Sequence, residues 1–275
     1  MIDIYRETWE LNSFIVWQFN QPPPKCIVCD ADMRFFKFTP CVPLEDKPIR
    51  INACPNCGFL SGSYDNMNNS ILTRKVYTDL KLVCRGFEHE LMDIKNRNNL
   101  DELVQYLPDS PIIIDMGSGS GGFEYYAKEK NPSIKVISFE VCKELIDFGK
   151  TKGMDIYSVD ITNEREIRNK LEILGIGEVD CIYSDNSLEH LLYPNRVLEV
   201  WKGLLKNGGY IYLTVPAMEV LYNSVMAYQA LHLSYFNTKT LTRLVENTGM
   251  RVVSSVVSME QNNAGTGSLK FLVQK

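Results

Sequence analysis

The 275-residue chain is short of histidine, with 3, and of tryptophan, also with 3, and it has no excess of positive charge: 29 lysines and arginines stand against 34 aspartates and glutamates, a formal net charge of −5. A surface that binds a polyanion usually leaves a basic footprint in the composition, so nucleic acid is not the favoured partner. No apolar run approaches the roughly 18–20 residues that cross a bilayer, which argues against a membrane role. The first residues, with Asp3, Arg6, Glu7 and Glu10, lack the apolar stretch of a secretion signal, and a cytoplasmic protein is expected. Internal repeats and low-complexity tracts are missing too. With 45% hydrophobic and 23% charged residues, the chain suits one large α/β domain plus a smaller appendage, and disorder as the main state is excluded.

Cysteine, by contrast, is present in number, 8 in all, and it is clustered. Cys26-Ile27-Val28-Cys29 and Cys54-Pro55-Asn56-Cys57 are two C-x-x-C pairs separated by roughly two dozen residues, close to the spacing of zinc sites. Without a secretion signal, such pairs point to metal before they point to a disulfide framework. Each pair presents two thiolates from a tight turn, and Gly58 gives the second turn its backbone freedom. Four sulfurs close a tetrahedron and leave no position for water or substrate, so the expected zinc is structural. A redox pair normally stands singly, and four unligated thiols leave the spacing unexplained. Cys41 is an alternative ligand, whereas Cys84, Cys142 and Cys181 lie among apolar residues and are expected in the core.

Residues 1–24 carry Trp9, Phe14, Trp17 and Phe19 and end in Pro22-Pro23-Pro24, a stiff spacer. They read as an arm that docks on its own domain or on a second copy in a homodimer. Residues 25–85 are short apolar stretches broken by Pro40, Pro43, Pro48 and Pro55, which suits a ribbon of small hairpins around the metal. Residues 86–109 hold a linking helix, since Leu91, Ile94, Leu100, Leu103, Val104 and Leu107 recur at helical spacing up to Pro108.

From 110 to 275 short β runs alternate with helical segments, the pattern of a parallel sheet covered on both faces. Strands are expected at 112–114, 134–139, 156–159, 179–184, 210–215, 252–257 and 269–273. Helices are expected at 121–130, from 143, at 163–174, at 195–206 and at 238–247. The loop 261–267 suits a hairpin that leaves the last strand antiparallel.

The run Asp115-Met116-Gly117-Ser118-Gly119-Ser120-Gly121-Gly122 follows the first of these strands and opens a helix. It satisfies the dinucleotide fingerprint G-x-G-x-x-G and equally G-x-G-x-G, so the glycines do not choose between a nicotinamide and another nucleoside cofactor. Asp115 does. A carboxylate at the strand tip opposes a pyrophosphate but suits a ligand carrying a cationic ammonium, as S-adenosylmethionine does. Glu140 ends the second strand, where an acid accepts both ribose hydroxyls, a need shared with NAD. Asp160 ends the third, where a carboxylate accepts from an adenine amino group while Ile161 packs on the ring.

These motifs together resemble the class I S-adenosylmethionine-dependent methyltransferases over about residues 110–275. The loop 115–121 resembles the family's first motif, Glu140 its ribose acid and Asp160 its adenine-side acid. The run 179–190, Val-Asp-Cys-Ile-Tyr-Ser-Asp-Asn-Ser-Leu-Glu-His, with Pro194 beyond it, resembles the fourth-strand motif. Residues 205–216, with Gly208-Gly209 before the fifth strand, and His232-Leu233-Ser234-Tyr235-Phe236 followed by Thr240 are similar to the family's later segments. The resemblance implies a Rossmann-like, seven-stranded α/β sheet with its last strand antiparallel, preceded here by a small zinc-binding ribbon. It implies S-adenosyl-L-methionine held by Asp115, Gly117, Ser118, Gly119, Gly121, Glu140, Val141, Asp160, Ile161, Asp185 and Asn186.

The knuckles ahead of such a domain further resemble, in part, the zinc-ribbon sugar C-methyltransferases of nucleotide-linked deoxysugars and their relatives in polysaccharide and natural-product pathways. Those enzymes carry Tyr-x-Glu-His near the acceptor; this chain reads Gln229-Ala230-Leu231-His232. The implied acceptor is a small molecule, nucleotide-linked or polymeric carbohydrate included, methylated on a hydroxyl or amino group. The run Asp185-Asn186-Ser187-Leu188 departs from the Asp/Asn-Pro-Pro-aromatic signature of nucleic-acid amino methyltransferases, in keeping with the charge balance.

Methyl transfer from a sulfonium is an in-line displacement that mainly needs alignment and exclusion of water, but an alcohol must also lose its proton, and histidine is the natural base. His232 lies in the insertion after the fifth strand, a lid over residues 217–236, among Tyr222, Tyr228, Tyr235 and Phe236. His190, with Glu189 beside it, lies just past the fourth strand. These three are the candidate catalytic residues, while His89 is expected on a solvated helix. No clustered Asp, Glu and His set implying a catalytic magnesium stands out along the chain. Two other readings stay open: a nicotinamide-dependent oxidoreductase, and a non-catalytic protein whose ribbon and cofactor fold serve a partner.

Overall fold

The computed structural model of the chain describes residues 24–39, 49–63, 91–221, 232–259 and 267–275. Trp9, Phe14, Trp17, Phe19, Cys41, Cys84, His89, Tyr222, Tyr228 and Gln229 lie outside the described residues, as does most of the loop expected at 261–267.

Three short strands open the structure: β1 Arg34–Thr39, β2 Ile49–Ala53 and β3 Leu60–Ser63. They pair antiparallel in chain order, as small hairpins require. The linking helix is α1, Ile94–Leu103, capped by the Asp93 side chain on the Lys95 amide and closed by a 3-10 turn, Val104–Tyr106.

Alternating elements follow: β4 Ile112–Met116, α2 Gly122–Lys130, β5 Lys135–Glu140, α3 Lys143–Thr151, β6 Ile156–Ser158, α4 Glu164–Ile173, β7 Val179–Asp185, α5 Pro194–Lys202, β8 Leu205–Pro216, α6 Met218–Leu221, β9 Ser234–Tyr235, α7 Thr238–Asn247, β10 Arg251–Met259 and β11 Gly267–Gln274. Local chemistry sets several starts. Asn163 caps α4 on the Glu166 amide, Pro194 opens α5, and Asn237 with Thr240 forms a reciprocal capping box for α7.

Seven strands form one sheet in the order β10-β11-β8-β7-β4-β5-β6. The pairs among β8, β7, β4, β5 and β6 are parallel, and β11 runs antiparallel to both its neighbours. The strand order reverses between β4 and β7, which opens a crevice at their carboxyl ends. Side chains alternate across the sheet. Ile114, Met116 and Ile182 share a core with α4, α5 and α7, whereas Ile113, Cys181 and Tyr183 pack with Leu100 of α1 and Phe123 of α2.

The short elements α6 and β9 are additions to the sequence reading, and α5 and β8 differ from it in their bounds. Helix α5 stops at Lys202 rather than 206, and β8 begins at Leu205 rather than 210. Leu205 already pairs with Val179, and the register then shifts so that Tyr210 meets Cys181; the Gly208-Gly209 turn is absorbed as an irregularity inside the strand.

The ribbon is not an isolated appendage. Strand β9, from the segment after β8, joins β3 as the fourth strand of the ribbon's own sheet. Phe59 packs against Phe236 with ring centroids 5.7 Å apart, and the Asn247 side chain at the end of α7 donates to the Val28 carbonyl at 2.7 Å. Cys26, Val28, Met33 and Phe59 belong to the same apolar core as Leu241 and Val245.

Candidate active site and metal centre

The two C-x-x-C turns are built alike. The amide four residues beyond each first cysteine bonds back to that cysteine's carbonyl, Asp30 to Cys26 at 2.8 Å and Gly58 to Cys54 at 3.0 Å. Both turns then pass through positive φ directly after their second cysteine, at Asp30 (59°) and Gly58 (80°). The outcome is that Cys26 Sγ lies 3.6 Å from Cys57 Sγ and Cys29 Sγ 3.4 Å from Cys54 Sγ, with all four sulfurs within 4.8 Å of one another. Zinc–sulfur bonds of about 2.3 Å place tetrahedral sulfurs about 3.8 Å apart, so the cluster fits such an ion. Cys142 and Cys181 are buried free thiols, as expected of core cysteines.

At the carboxyl ends of β4 to β7 lies a cavity of about 640 Å³, a size that suits a nucleoside cofactor. Asp115, Gly117, Ser118, Gly119, Glu140, Val141, Asp160, Ile161, Asp185 and Asn186 all line it. Gly117 holds φ +83° against the wall, and a Cβ there would run into Ser187 Oγ. Ser118 Oγ is buried in this loop with no hydrogen-bond partner among the described residues, a polar atom placed for a ligand. Gly121 does not line the cavity. It begins α2, and a Cβ there would press on Met154 and Ile156, so it serves the close packing of helix on sheet.

The acids differ in their state. Asp115 is 2% exposed, and burial, with Asp185, Glu124 and Glu140 nearby, holds its carboxyl well above the usual range. Burial also raises Glu140, against the pull of the Cys142, Val141 and Gly119 amides, which bond its carboxylate at 2.9, 2.6 and 3.0 Å. The Gly119 bond ties the end of β5 to the glycine loop, and the three together fix the carboxylate at the cavity wall. The Asp160 side chain accepts from the Thr162 amide and hydroxyl at 2.9 and 2.7 Å. Asp185 is bound by Lys95 at 2.8 Å and by the Thr214 hydroxyl.

Lys95, Asp93 and Asn96 of the α1 region are cavity residues that sequence reasoning missed, as are Tyr193 and Arg196 near the start of α5. No local motif marks them, because they reach the site only through the packing of α1 and α5 on the sheet.

The structure brings the three candidate catalytic residues together. Glu189 and His190 lie in a 3-10 turn, Leu188–His190, after β7, and His232 lies two residues before the first residue of β9. The Leu233 amide donates to the Glu189 carbonyl at 2.9 Å, which staples the two segments. The His190 and His232 rings stand 4.9 Å apart, and His190 Nε2 is 3.8 Å from Glu189 Oε1. His190 lines the cavity, while His232 is 6% exposed and is not among the lining residues. Burial pushes the Glu189 carboxyl up to about 8, with the Asp185 charge adding to the rise. Glu189, His190 and His232 place ligand atoms within 4.8 Å of one another. They come from two segments that only the folded chain joins.

A family model for the methyltransferase domain matches residues 88–255, more than half of the chain. The chain belongs to this methyltransferase domain family. Its fold is that of the S-adenosylmethionine-dependent methyltransferases. A structure of a SAM-dependent methyltransferase from Archaeoglobus fulgidus aligns with a TM-score of 0.54 at 18% identity, covering 69% of this chain and 98% of that one. The magnesium protoporphyrin IX methyltransferase from Synechocystis PCC 6803, solved with bound SAH, aligns with a TM-score of 0.55 at 10% identity, covering 76% of this chain and all of that one.

Among curated proteins, ribosomal RNA large subunit methyltransferase E of Zymomonas mobilis is 30% identical over 94 residues, 33% of this chain. The chain spans 40% to 54% of the length of the two curated relatives it matches. No helix among the described residues is long and apolar enough to cross a membrane.

Proposed function

We propose that the chain transfers the S-methyl group of S-adenosylmethionine to a hydroxyl, or an amino group, of a small acceptor derived from a carbohydrate or a secondary metabolite. The observation that carries this reading is the ring of four acids, Asp115, Glu140, Asp160 and Asp185, around one cavity with His190 in its wall. In this reading Asp115 faces the ligand's ammonium, Glu140 accepts from the ribose hydroxyls, and Asp160 with Ile161 receives the adenine. The cosubstrate supplies a methyl group on a cationic sulfur, whose charge disappears as the group leaves. The protein's own work is to align the acceptor, to exclude water and to take up a proton, for which His190 or His232 is the base.

An acidic chain with no nucleic-acid amino-methyltransferase signature supports a small acceptor over RNA, although both curated relatives, a ribosomal RNA and a tRNA methyltransferase, act on RNA. The test is label transfer from S-adenosylmethionine to a panel of nucleotide sugars, oligosaccharides and hydroxylated metabolites, with an RNA arm. Turnover on the first three groups is expected. Turnover on RNA alone would overturn the acceptor class, and full turnover in both His190→Ala and His232→Ala would remove the histidine base.

A further inference from the structure

Glu189 is 1% exposed, and neither of its carboxylate oxygens has a hydrogen-bond partner among the described residues. A buried carboxylate left in that state is costly and calls for an explanation in a cation or a proton. The surroundings favour a cation. Two imidazoles from different segments stand together, their rings 4.9 Å apart and tilted by 60°. One ligand atom from each of the three side chains falls within 4.8 Å of the others.

We infer that Glu189, His190 and His232 form a second metal centre, distinct from the four cysteines, that takes a divalent first-row transition ion beside the methyl-transfer cavity. Two imidazole nitrogens and one carboxylate oxygen suit zinc, iron(II) or cobalt(II) better than magnesium, which prefers an all-oxygen shell. Metal–ligand distances of about 2.0–2.2 Å place ligand atoms roughly 3–3.5 Å apart, so an ion draws the trio inward by about 1 Å. The Leu233-to-Glu189 backbone bond holds the two halves in register for that closure.

Three protein ligands leave further positions open, unlike the closed cysteine site. The His190 side of the centre borders the cavity, so the open positions take oxygen from water or from an acceptor hydroxyl, whose acidity the ion raises. The inference rests on the methyl-transfer reading for its purpose, and it reassigns both histidines from proton carriers to ligands. Its test does not use turnover.

The full chain, with zinc already on the four cysteines, is titrated with cobalt(II) and followed by visible absorption. We expect one further equivalent per chain, with d–d bands and no thiolate-to-cobalt charge transfer. Glu189→Gln and His232→Ala should each weaken that binding at least tenfold, about 1.4 kcal/mol. Retained S-adenosylhomocysteine binding reports that each variant is folded, and a variant that fails this check is replaced by His232→Gln. No second equivalent, a second equivalent with thiolate bands, or wild-type affinity in the folded variants would overturn the centre. Loss of cobalt binding together with intact S-adenosylhomocysteine binding in the unaltered chain sinks the centre alone and leaves the methyl-transfer reading standing.

Discussion

Asp115 is where a single side chain most directly tests the cofactor reading. Its carboxyl is raised by burial and by three neighbouring acids, so the ligand-free protein holds that proton further into the neutral direction than an exposed aspartate does. A cationic ligand favours the carboxylate. Affinity for S-adenosylmethionine should therefore strengthen as pH rises through the raised pKa, and calorimetry across pH should find Asp115→Asn both weaker and flatter in its pH response. The same shift acts on stability with the opposite sign. The folded state binds the proton more tightly than the unfolded chain, so Asp115 costs stability as pH rises above the ordinary aspartate range, and ligand relieves that cost. Gly117→Ala makes a second expectation: with φ at +83° and Ser187 in the way, cofactor affinity should fall at least about tenfold while the fold survives. An unchanged affinity would remove the loop from the site.

At the scale of elements, the ribbon and the segment after β8 are one construction. Strand β9 belongs to the ribbon's sheet, and the Gly62 amide donates to the Leu233 carbonyl at 3.0 Å, one residue from His232. Stripping the cysteine site with a strong chelator, or Cys54→Ser, should therefore loosen His232 as well as the ribbon. Hydrogen exchange should rise at 232–235 as it rises at 50–62, with much smaller change at the glycine loop. Exchange confined to the ribbon would contradict the coupling. Helix α5 gives a control of another kind: Trp201 is fully buried, and its indole donates to the Ile161 carbonyl at 3.1 Å. Trp201→Ala should cost about 3–5 kcal/mol in denaturant unfolding.

At the scale of the whole molecule, the sheet order and the antiparallel β11 follow from patterns the chain carries locally: short β runs, capping residues such as Asn163 and Asn237, and a glycine loop between β4 and α2. The acids at strand ends were legible for the same reason, since a strand's end fixes where its side chain stands. What was not legible depends on contacts distant in sequence. Lys95 meets Asp185 across the packing of α1 on the sheet. A two-residue strand such as β9 has no periodicity to read, and its pairing with β3 crosses from the ribbon to the segment after β8. Glu189 and His190 meet His232 through the Leu233-to-Glu189 backbone bond, which no local pattern announces. Gly121 fitted the loop motif by spacing, yet its environment is Met154 and Ile156 rather than the cavity.

The central claim is that the cavity at the ends of β4 to β7 takes S-adenosylmethionine. Calorimetric titration of the full chain with S-adenosylmethionine, S-adenosylhomocysteine and NAD, with zinc content measured on the same sample, tests it most directly. The account predicts saturable micromolar binding of both sulfur compounds, none of NAD, and at least one zinc per chain. Binding of NAD alone, or of none of the three, would contradict it.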